Sequence, residues 1–209
     1  MSGVITAATP KGERRRYSLV SAAADLLREG GFEAVRHRAV AQRAGLPLAS
    51  TTYYFSSLDD LIVRAVEHIG MLEVAQLRAR VGELSRRSRS AETIAEILVE
   101  LLVGDDSGEQ ITEQLISRYE RYVVCSRQPV LREIQRRIAR QRSDAVTEAV
   151  ERSGRTARAE MACALVCVID GAVMRALVDD PQGPRVAARA AVIDVIDVLA
   201  PMEQRAATA

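Results

Sequence analysis

Residues 36–61, RHRAVAQRAGLPLASTTYYFSSLDDL, combine guanidinium groups with hydroxyl-bearing side chains in one short segment. Arginine can donate two parallel hydrogen bonds to guanine or to a phosphate, and serine, threonine and tyrosine hydroxyls can donate to phosphate oxygens. This combination predicts polar recognition of DNA. The sequence has no paired nucleophile and base, no phosphate-cradling glycine loop and no metal-ligand cluster. We therefore expect no enzymatic activity, no metal site and no cofactor.

The spacing inside this segment predicts a helix-turn-helix. Ala41 provides the small residue that two steeply crossing helices need, and Gly45 can turn the chain because glycine enters the left-handed conformation without a Cβ penalty. Leu46 can then enter the core as the hydrophobic contact behind the cap. Pro47 suits the first turn of the next helix, where its missing N–H has no intrahelical partner. We expect helices over about residues 36–44 and 47–54.

Apolar residues recur at helical spacing along the chain, and the pattern predicts an all-α protein of about nine helices. The first helix should cover about residues 13–30, with a glycine turn behind it. Its inward residues are predicted to be Leu19, Ala22, Ala23, Leu26 and Leu27. In the short third helix, Leu46, Thr51 and Phe55 are expected to point inward. Ser57 should cap a fourth helix, and five more are expected over about 91–103, 109–125, 129–153, 156–178 and 184–199.

Composition and charge limit the classes of protein to which this chain can belong. The 48% hydrophobic content allows a packed core, and no run approaches the roughly 18 uninterrupted apolar residues of a membrane helix, because Asp170, Gly171 and Arg175 break the longest apolar stretch, 161–178. The N-terminus has no apolar stretch typical of a signal peptide, and three cysteines are too few for a disulfide framework, so we expect a cytoplasmic protein without a membrane partner. The net charge is +1, but residues 1–56 hold eight basic and four acidic residues. The basic part contains the helix-turn-helix, as DNA contact requires.

Residues 16–61 resemble the TetR family of transcriptional regulators. The residues that carry this resemblance are Leu19, Ala22, Ala23, Leu26, Leu27, Gly31, Phe32, Val40, Ala41, Ala44, Gly45, Tyr54, Phe55 and Leu61. The resemblance implies an N-terminal three-helix DNA-binding domain, residues 11–56, and a C-terminal helical domain for effector binding and dimerisation, residues 57–209. It also implies a homodimeric repressor that leaves an inverted-repeat operator in double-stranded DNA when a small-molecule effector binds.

In such proteins the third helix enters the major groove, and the resemblance implies a set of DNA contacts. These are Arg36, His37, Arg38, Pro47, Leu48, Ala49, Ser50, Thr52, Tyr53 and Tyr54. The chain departs from the family pattern at three positions. Arg36 stands where a helix-capping threonine or serine is usual, Thr52 where a tyrosine is expected, and Leu58 where a lysine meets phosphate. The operator sequence therefore does not transfer from the family.

Two groups of residues are candidates for an effector pocket. Tyr119 and Tyr122 lie on the predicted inward face of the sixth helix, where they either pack in the core or orient a ligand through their hydroxyls. Cys167, Asp170 and Met174 share a stripe of the eighth helix with Cys163. The cysteines are predicted to pack as small hydrophobic residues, with redox sensing as the alternative, and Asp170 either pairs with an arginine or serves the pocket. Such a pocket favours an apolar or modestly polar molecule.

The remaining charged and apolar faces carry two further expectations. The arginine-rich stretch at Arg132, Arg136, Arg137, Arg140 and Arg142 is predicted to be the solvated outer face of a helix rather than a second nucleic-acid surface. The last two helices are apolar around most of their circumference, which predicts a homodimer through them. The alternative function is a helical interaction protein or small-molecule-modifying protein, in which the helix-turn-helix is only a helical corner.

Overall fold

The computed structural model describes residues 9–104, 109–179 and 182–203, and within these ranges it holds nine helices and no β-strand. The prediction of an all-α fold is confirmed. In chain order the helices are α1 (Pro10–Ala34), α2 (His37–Arg43), α3 (Ala49–Tyr54), α4 (Leu58–Glu83), α5 (Ala91–Leu102), α6 (Glu109–Arg127), α7 (Pro129–Arg152), α8 (Ala159–Asp179) and α9 (Pro184–Leu199).

The chain divides into two compact units. The first comprises Met1–Leu72 and Ser117–Gln135, and the second comprises Glu73–Ile116 and Arg136–Ala209. This division reflects only how compactly the residues pack, and it does not separate functions. The expected functional division between residues 56 and 57 stays a prediction.

The first unit buries the apolar faces of α1–α4 around the helix-turn-helix. Of the five residues predicted to point inward from α1, Leu26 is half-buried and the other four are buried. Other members of this core are Val40, Ala41, Thr51, Phe55, Leu61, Ala65 and Ile69. Ser57 caps α4 as predicted, because its Oγ accepts the N–H of Asp60 at 3.0 Å.

Helix α1 is longer than the sequence pattern predicts. It begins at Pro10, where Thr9 Oγ1 accepts the N–H of Gly12 at 3.2 Å, and its last turn reaches Ala34. Gly30 and Gly31 interrupt the helical geometry inside this range, with Gly31 at φ +64°. The predicted glycine turn is therefore present, and a further short helical turn follows it.

The second unit is organised around α8 and α9, which pack along each other, while α5 also packs against α9. The buried residues of α8 follow helical spacing and are Ala162, Leu165, Ile169, Val173 and Ala176. Length and composition alone would allow α8 to cross a membrane. Only a third of its most apolar stretch is buried within the chain, so the chain's own residues leave most of that stretch uncovered. A helix that pairs with another protein surface has the same composition.

Two arginines join the segment after α4 to the end of α7 through backbone carbonyl groups. Arg152 Nη1 donates to the carbonyl of Leu84 at 2.9 Å, and Arg89 Nη1 donates to the carbonyl of Arg152 at 2.9 Å. Gly154 follows at φ +71°, and a Cβ there would lie 2.9 Å from the Cα of Ser88. The carbonyl groups at the end of a helix lack hydrogen-bond partners within that helix. The connection between the segment after α4 and the end of α7 therefore depends on guanidinium groups that donate to such carbonyls.

Candidate functional site

The turn between α2 and α3 has the geometry that Ala41 and Gly45 predict. Gly45 lies at φ +64° and donates its N–H to the carbonyl of Gln42 at 3.2 Å. The N–H of Leu46 donates to the carbonyl of Ala41 at 3.0 Å, which completes a Schellman motif. Ala41 is buried, whereas Leu46 is only half-buried. The turn thus fixes the direction in which α3 leaves α2.

Helix α3 begins at Ala49, two residues later than the predicted start at Pro47. Leu48 stands before it in the right-handed helical region, and the carbonyl of Pro47 accepts the N–H of Ser50 at 2.9 Å. Thr51 Oγ1 donates to the carbonyl of Leu48 at 2.8 Å. Thr51 and Phe55 are buried as predicted, so side chains facing the core hold this short helix in place.

The opposite face of α3 is open. Leu48 is 53% exposed and Tyr53 is 64% exposed. The other predicted contacts of this segment are exposed at Pro47, Ala49 and Thr52, and half-buried at Ser50 and Tyr54. The Tyr53 and Tyr54 rings meet edge to face with their centroids 4.8 Å apart. The exposed positions of this segment therefore combine apolar groups, methyl groups and hydroxyls.

The predicted contacts in and before α2 differ in their surroundings. Arg38 is exposed, and its side chain has no hydrogen bond or ion pair to any residue that the structure describes. Arg36 is the residue before α2 without a side-chain cap, and its Nη2 lies 3.3 Å from Glu33 Oε2. His37 is half-buried, and its Nδ1 is buried without a hydrogen-bond partner in the described chain. Of the three, Arg38 has the cation that is most available to a ligand.

An ion pair fastens α2 to α1. Arg43 Nη1 and Nη2 donate to the two carboxylate oxygens of Glu29 at 2.9 Å and 2.7 Å. The hydrogen bonds from Arg43 hold the pKa of Glu29 below its usual value. This paired geometry restricts both side chains, although an exposed pair adds little to folding stability.

A contact between α1 and the residue that ends α3 was not predicted from the sequence. The guanidinium carbon of Arg16 lies 5.5 Å from the centroid of the Phe55 ring, a distance suited to a cation–π interaction. Lys11, Arg14 and Arg15 lie on the adjoining turns of α1, all exposed and without side-chain partners among the residues described. The run of basic residues before residue 17 was the available signal, and it belongs to the same unit as the helix-turn-helix.

The expected effector residues fall in both units, and the two sets are described separately. In the first unit, Tyr119 is buried and Tyr122 half-buried, with ring centroids 5.9 Å apart in an edge-to-face arrangement. In the second unit, Cys167 and Met174 are exposed and Asp170 is half-buried. Their use as an effector pocket stays a prediction.

Two expectations about α7 and α8 need correction. Arg142 is 7% exposed and its Nη2 lies 3.8 Å from Asp170 Oδ1, so it is not part of a solvated face. The other four arginines of that stretch are exposed as predicted. Cys163 and Cys167 are exposed within the chain, whereas Cys125 is buried. Helical spacing correctly predicted that these residues share one stripe of α8, but it could not show whether this stripe faces the core or the exterior of the chain.

The geometry defines a helix-turn-helix whose second and third helices carry an exposed, partly cationic surface. Two known protein families match the chain. Residues 19–65 match the family described as bacterial regulatory proteins, tetR family. Residues 89–198 match the tetracyclin repressor-like C-terminal domain, which covers more than half of the chain. The chain therefore belongs to the TetR family of DNA-binding transcriptional regulators, which are not enzymes.

Solved structures show the same fold. A protein described as a transcriptional regulator, SCO7518 from Streptomyces coelicolor A3(2), is 26% identical with a TM-score of 0.66, over 87% of this chain and 98% of that chain. The multidrug binding protein EbrR, complexed with imidazole, is 27% identical with a TM-score of 0.64, over 93% of this chain and 98% of that chain. A transcriptional regulator from Saccharomonospora viridis in complex with choline is 18% identical with a TM-score of 0.66, over 92% of this chain and 100% of that chain. None of the curated proteins matches the sequence significantly.

Proposed function

We propose that the protein works in the cytoplasm as a homodimeric repressor that binds an inverted-repeat operator through α3 and the start of α2. The observation that carries this proposal is the open face of α3, held over a buried Thr51 and Phe55. On the preceding helix, α2, the guanidinium of Arg38 is exposed and has no partner within the described part of the chain. A major groove admits a helix of this kind. The expected division at residues 56 and 57 separates this DNA-binding part from the part that senses an effector.

The residues of this surface have different tasks. Arg38 is assigned to a guanine, because its guanidinium can donate to O6 and N7 together. Leu48, Ala49 and the methyl group of Thr52 are assigned to thymine methyl groups. The remaining predicted contacts, which include His37 and the hydroxyls of Ser50, Tyr53 and Tyr54, are assigned to phosphates, where they set position rather than sequence.

Exposed apolar residues on α8 and α9 support a homodimer through these helices. On α8, Met174 is 46% and Val178 87% exposed, and on α9, Val186 and Val198 are exposed. Single exposed apolar residues are common, but several of them on two helices that pack along each other favour a covering surface. A two-fold axis pairs this face with its own copy and sets two recognition helices about 34–36 Å apart, one helical turn of DNA.

Release of the operator by a small molecule is the proposed regulation. Crystal structures of EbrR, a neighbour that is 26–29% identical, carry imidazole, proflavin, malachite green or ethidium, which supports a ligand for this chain as well. Helix α4 contains residues of both units, so a ligand that favours one position of α4 changes the spacing of the recognition helices. Tyr119, Tyr122 and Asp170 are the first residues to test as ligand contacts.

A gel-shift assay with the DNA upstream of the protein's own gene tests the proposal. Saturable binding that survives competitor DNA supports an operator, and equal affinity for random DNA contradicts it. Sedimentation of the same sample gives the oligomeric state. A complex with one chain per inverted repeat would contradict the dimer, while leaving the DNA-binding surface in place.

A further inference from the structure

Two thiols lie one helical turn apart on the exposed face of α8. Cys163 and Cys167 are at positions i and i+4, and both are exposed and free. Side chains at this spacing lie on the same face, with Cβ atoms roughly 5–6 Å apart. The third cysteine, Cys125, is buried in the other unit. The chain therefore presents one exposed dithiol and one shielded thiol.

The surroundings of the dithiol favour a soft ligand. Gly171, one turn further along, has no side chain, and a Cβ added there would meet open space. Met174 continues the same stripe with a third sulfur atom. The carboxylate of Asp170 lies 3.8 Å from the guanidinium of Arg142, so its charge is already compensated. Sulfur ligands in such surroundings select thiol-seeking species over hard cations such as magnesium or calcium.

The protonation state of the thiols distinguishes a redox-sensing cysteine from a site that binds a ligand through both sulfur atoms. Cys167 is exposed but partly covered, and this partial burial, followed by the neighbouring Cys163, raises its pKa above the usual value, so the thiol stays protonated at neutral pH. A single redox-sensing cysteine needs the opposite, because the thiolate is the reactive form. A ligand that bonds to two sulfurs gains from the second thiol held nearby, which acts at high effective concentration.

We propose that Cys163 and Cys167 form a dithiol site for a trivalent thiol-seeking electrophile, of which an organoarsenical is the representative class. In the reaction, an arsenical of the form R–As(OH)₂ meets two thiols. Two As–S bonds form, two As–O bonds break, and the two thiol protons leave with the hydroxides as two water molecules. Arsenic stays trivalent throughout, so the step needs no oxidant or reductant.

The regulatory consequence rests on the proposed function, since the dithiol lies on the face assigned to the dimer. An organic group carried on arsenic would stand where the partner helix is proposed to pack. Binding of the arsenical and pairing of the chains then compete, and the competition is reciprocal. Dimerisation protects the thiols, and the adduct favours single chains with lower operator affinity.

Intact-mass measurement of the full chain with phenylarsine oxide, in excess glutathione, tests the site. One adduct per chain that resists the monothiol is expected for the wild type. Cys163→Ser and Cys167→Ser should each lose it, with retention weaker by about 10²-fold because the second bond is gone. Cys125→Ser is the matched control and should keep the adduct. No adduct on the wild type, or one that survives either of the first two changes, overturns the proposal.

Sedimentation of the treated protein separates this inference from the proposed function. A shift from dimer to single chain, with labelling that slows as protein concentration rises, supports the regulatory role. An adduct on an unchanged dimer overturns that role and leaves the dithiol site standing. Operator binding by the untreated protein is measured independently, so its failure would contradict the DNA-binding proposal and not the thiol chemistry.

Discussion

The N–H of Leu46 donates to the carbonyl of Ala41 across 3.0 Å, and this bond closes the turn that aims α3 away from α2. Its geometry requires Gly45, the residue directly before Leu46, to adopt φ +64°. No other residue type enters this region without a steric cost. The direction of the recognition helix thus depends on one backbone conformation.

Gly45→Ala is therefore expected to destabilise the protein by about 1–2 kcal/mol, the cost of a left-handed conformation for a residue with a Cβ. The change is read from urea unfolding. Gly82→Ala is the matched control, since Gly82 lies in α4 with open space around its Cβ position. Because Gly82 lies one residue before the end of α4, the change should stabilise the protein by no more than about 0.5–1 kcal/mol, the value for the middle of a helix. Equal effects at the two positions would contradict the role of the turn.

Arg38→Ala should weaken operator binding by about 1–3 kcal/mol, because the variant cannot form the bidentate hydrogen bonds to guanine. Fluorescence anisotropy with labelled operator measures the change. Combined with Tyr53→Ala, it should abolish specific binding while the dimer persists in sedimentation.

The control for Arg38 is Arg78→Ala, which removes another exposed arginine that has no partner among the described residues. It lies in the second unit and should leave operator affinity unchanged. If both variants weaken binding equally, the effect reflects overall charge and not base recognition. Substituted operators then decide the point, because removal of a base-reading side chain relaxes the sequence preference at one position only.

Lys11, Arg14 and Arg15 are expected to contact phosphates, since Arg16 on the same end of α1 lies against Phe55 at the end of α3. Replacing all three with alanine should weaken binding to every DNA sequence alike. The slope of log K against log salt concentration should fall by about 0.9 for each phosphate that the variant no longer neutralises. A change in sequence preference with an unchanged slope would contradict this assignment.

Burial raises the pKa of Cys125 from its ordinary value of 9.0 to about 11, which makes folding stability depend on pH. Between these values the unfolded chain releases the thiol proton and the folded chain keeps it. The unfolded state then binds fewer protons, so stability falls as pH rises through about 9. The free energy of unfolding of the wild type, relative to Cys125→Ala, should fall by about 1 kcal/mol between about pH 7 and pH 10. A constant difference would contradict the shift.

Local patterns predicted much of the fold. Helical periodicity located all nine helices of the described chain, and the small residue and glycine at positions 41 and 45 located the turn. The ends of helices were harder, because capping depends on bonds such as the one between Thr9 Oγ1 and the N–H of Gly12, which extends α1 beyond its apolar pattern. The pattern predicts Pro47 as the first residue of α3, but the helix begins at Ala49.

Long-range pairing was outside the reach of sequence patterns. The bidentate bond between Glu29 and Arg43 joins residues on separate helices, and nothing in the spacing of either helix predicts it. The charges around Arg142 predict an exposed side chain, yet α7 turns it inward toward Asp170. In the sequence, a charged residue on an exposed helix face cannot be distinguished from one in a buried ion pair, because the difference depends on where the neighbouring helix packs.

The shortness of α3 has a consequence for engineering. Six residues form too few backbone bonds to persist as a helix alone, so an isolated peptide of this segment would not reproduce the operator contacts. Conversely, the side chains that hold α3, Thr51 and Phe55, are separate from those that point outward. The outward side chains can therefore be replaced together while Thr51 and Phe55 keep α3 in position. This makes α3 a suitable helix in which to change the DNA sequence that the regulator binds.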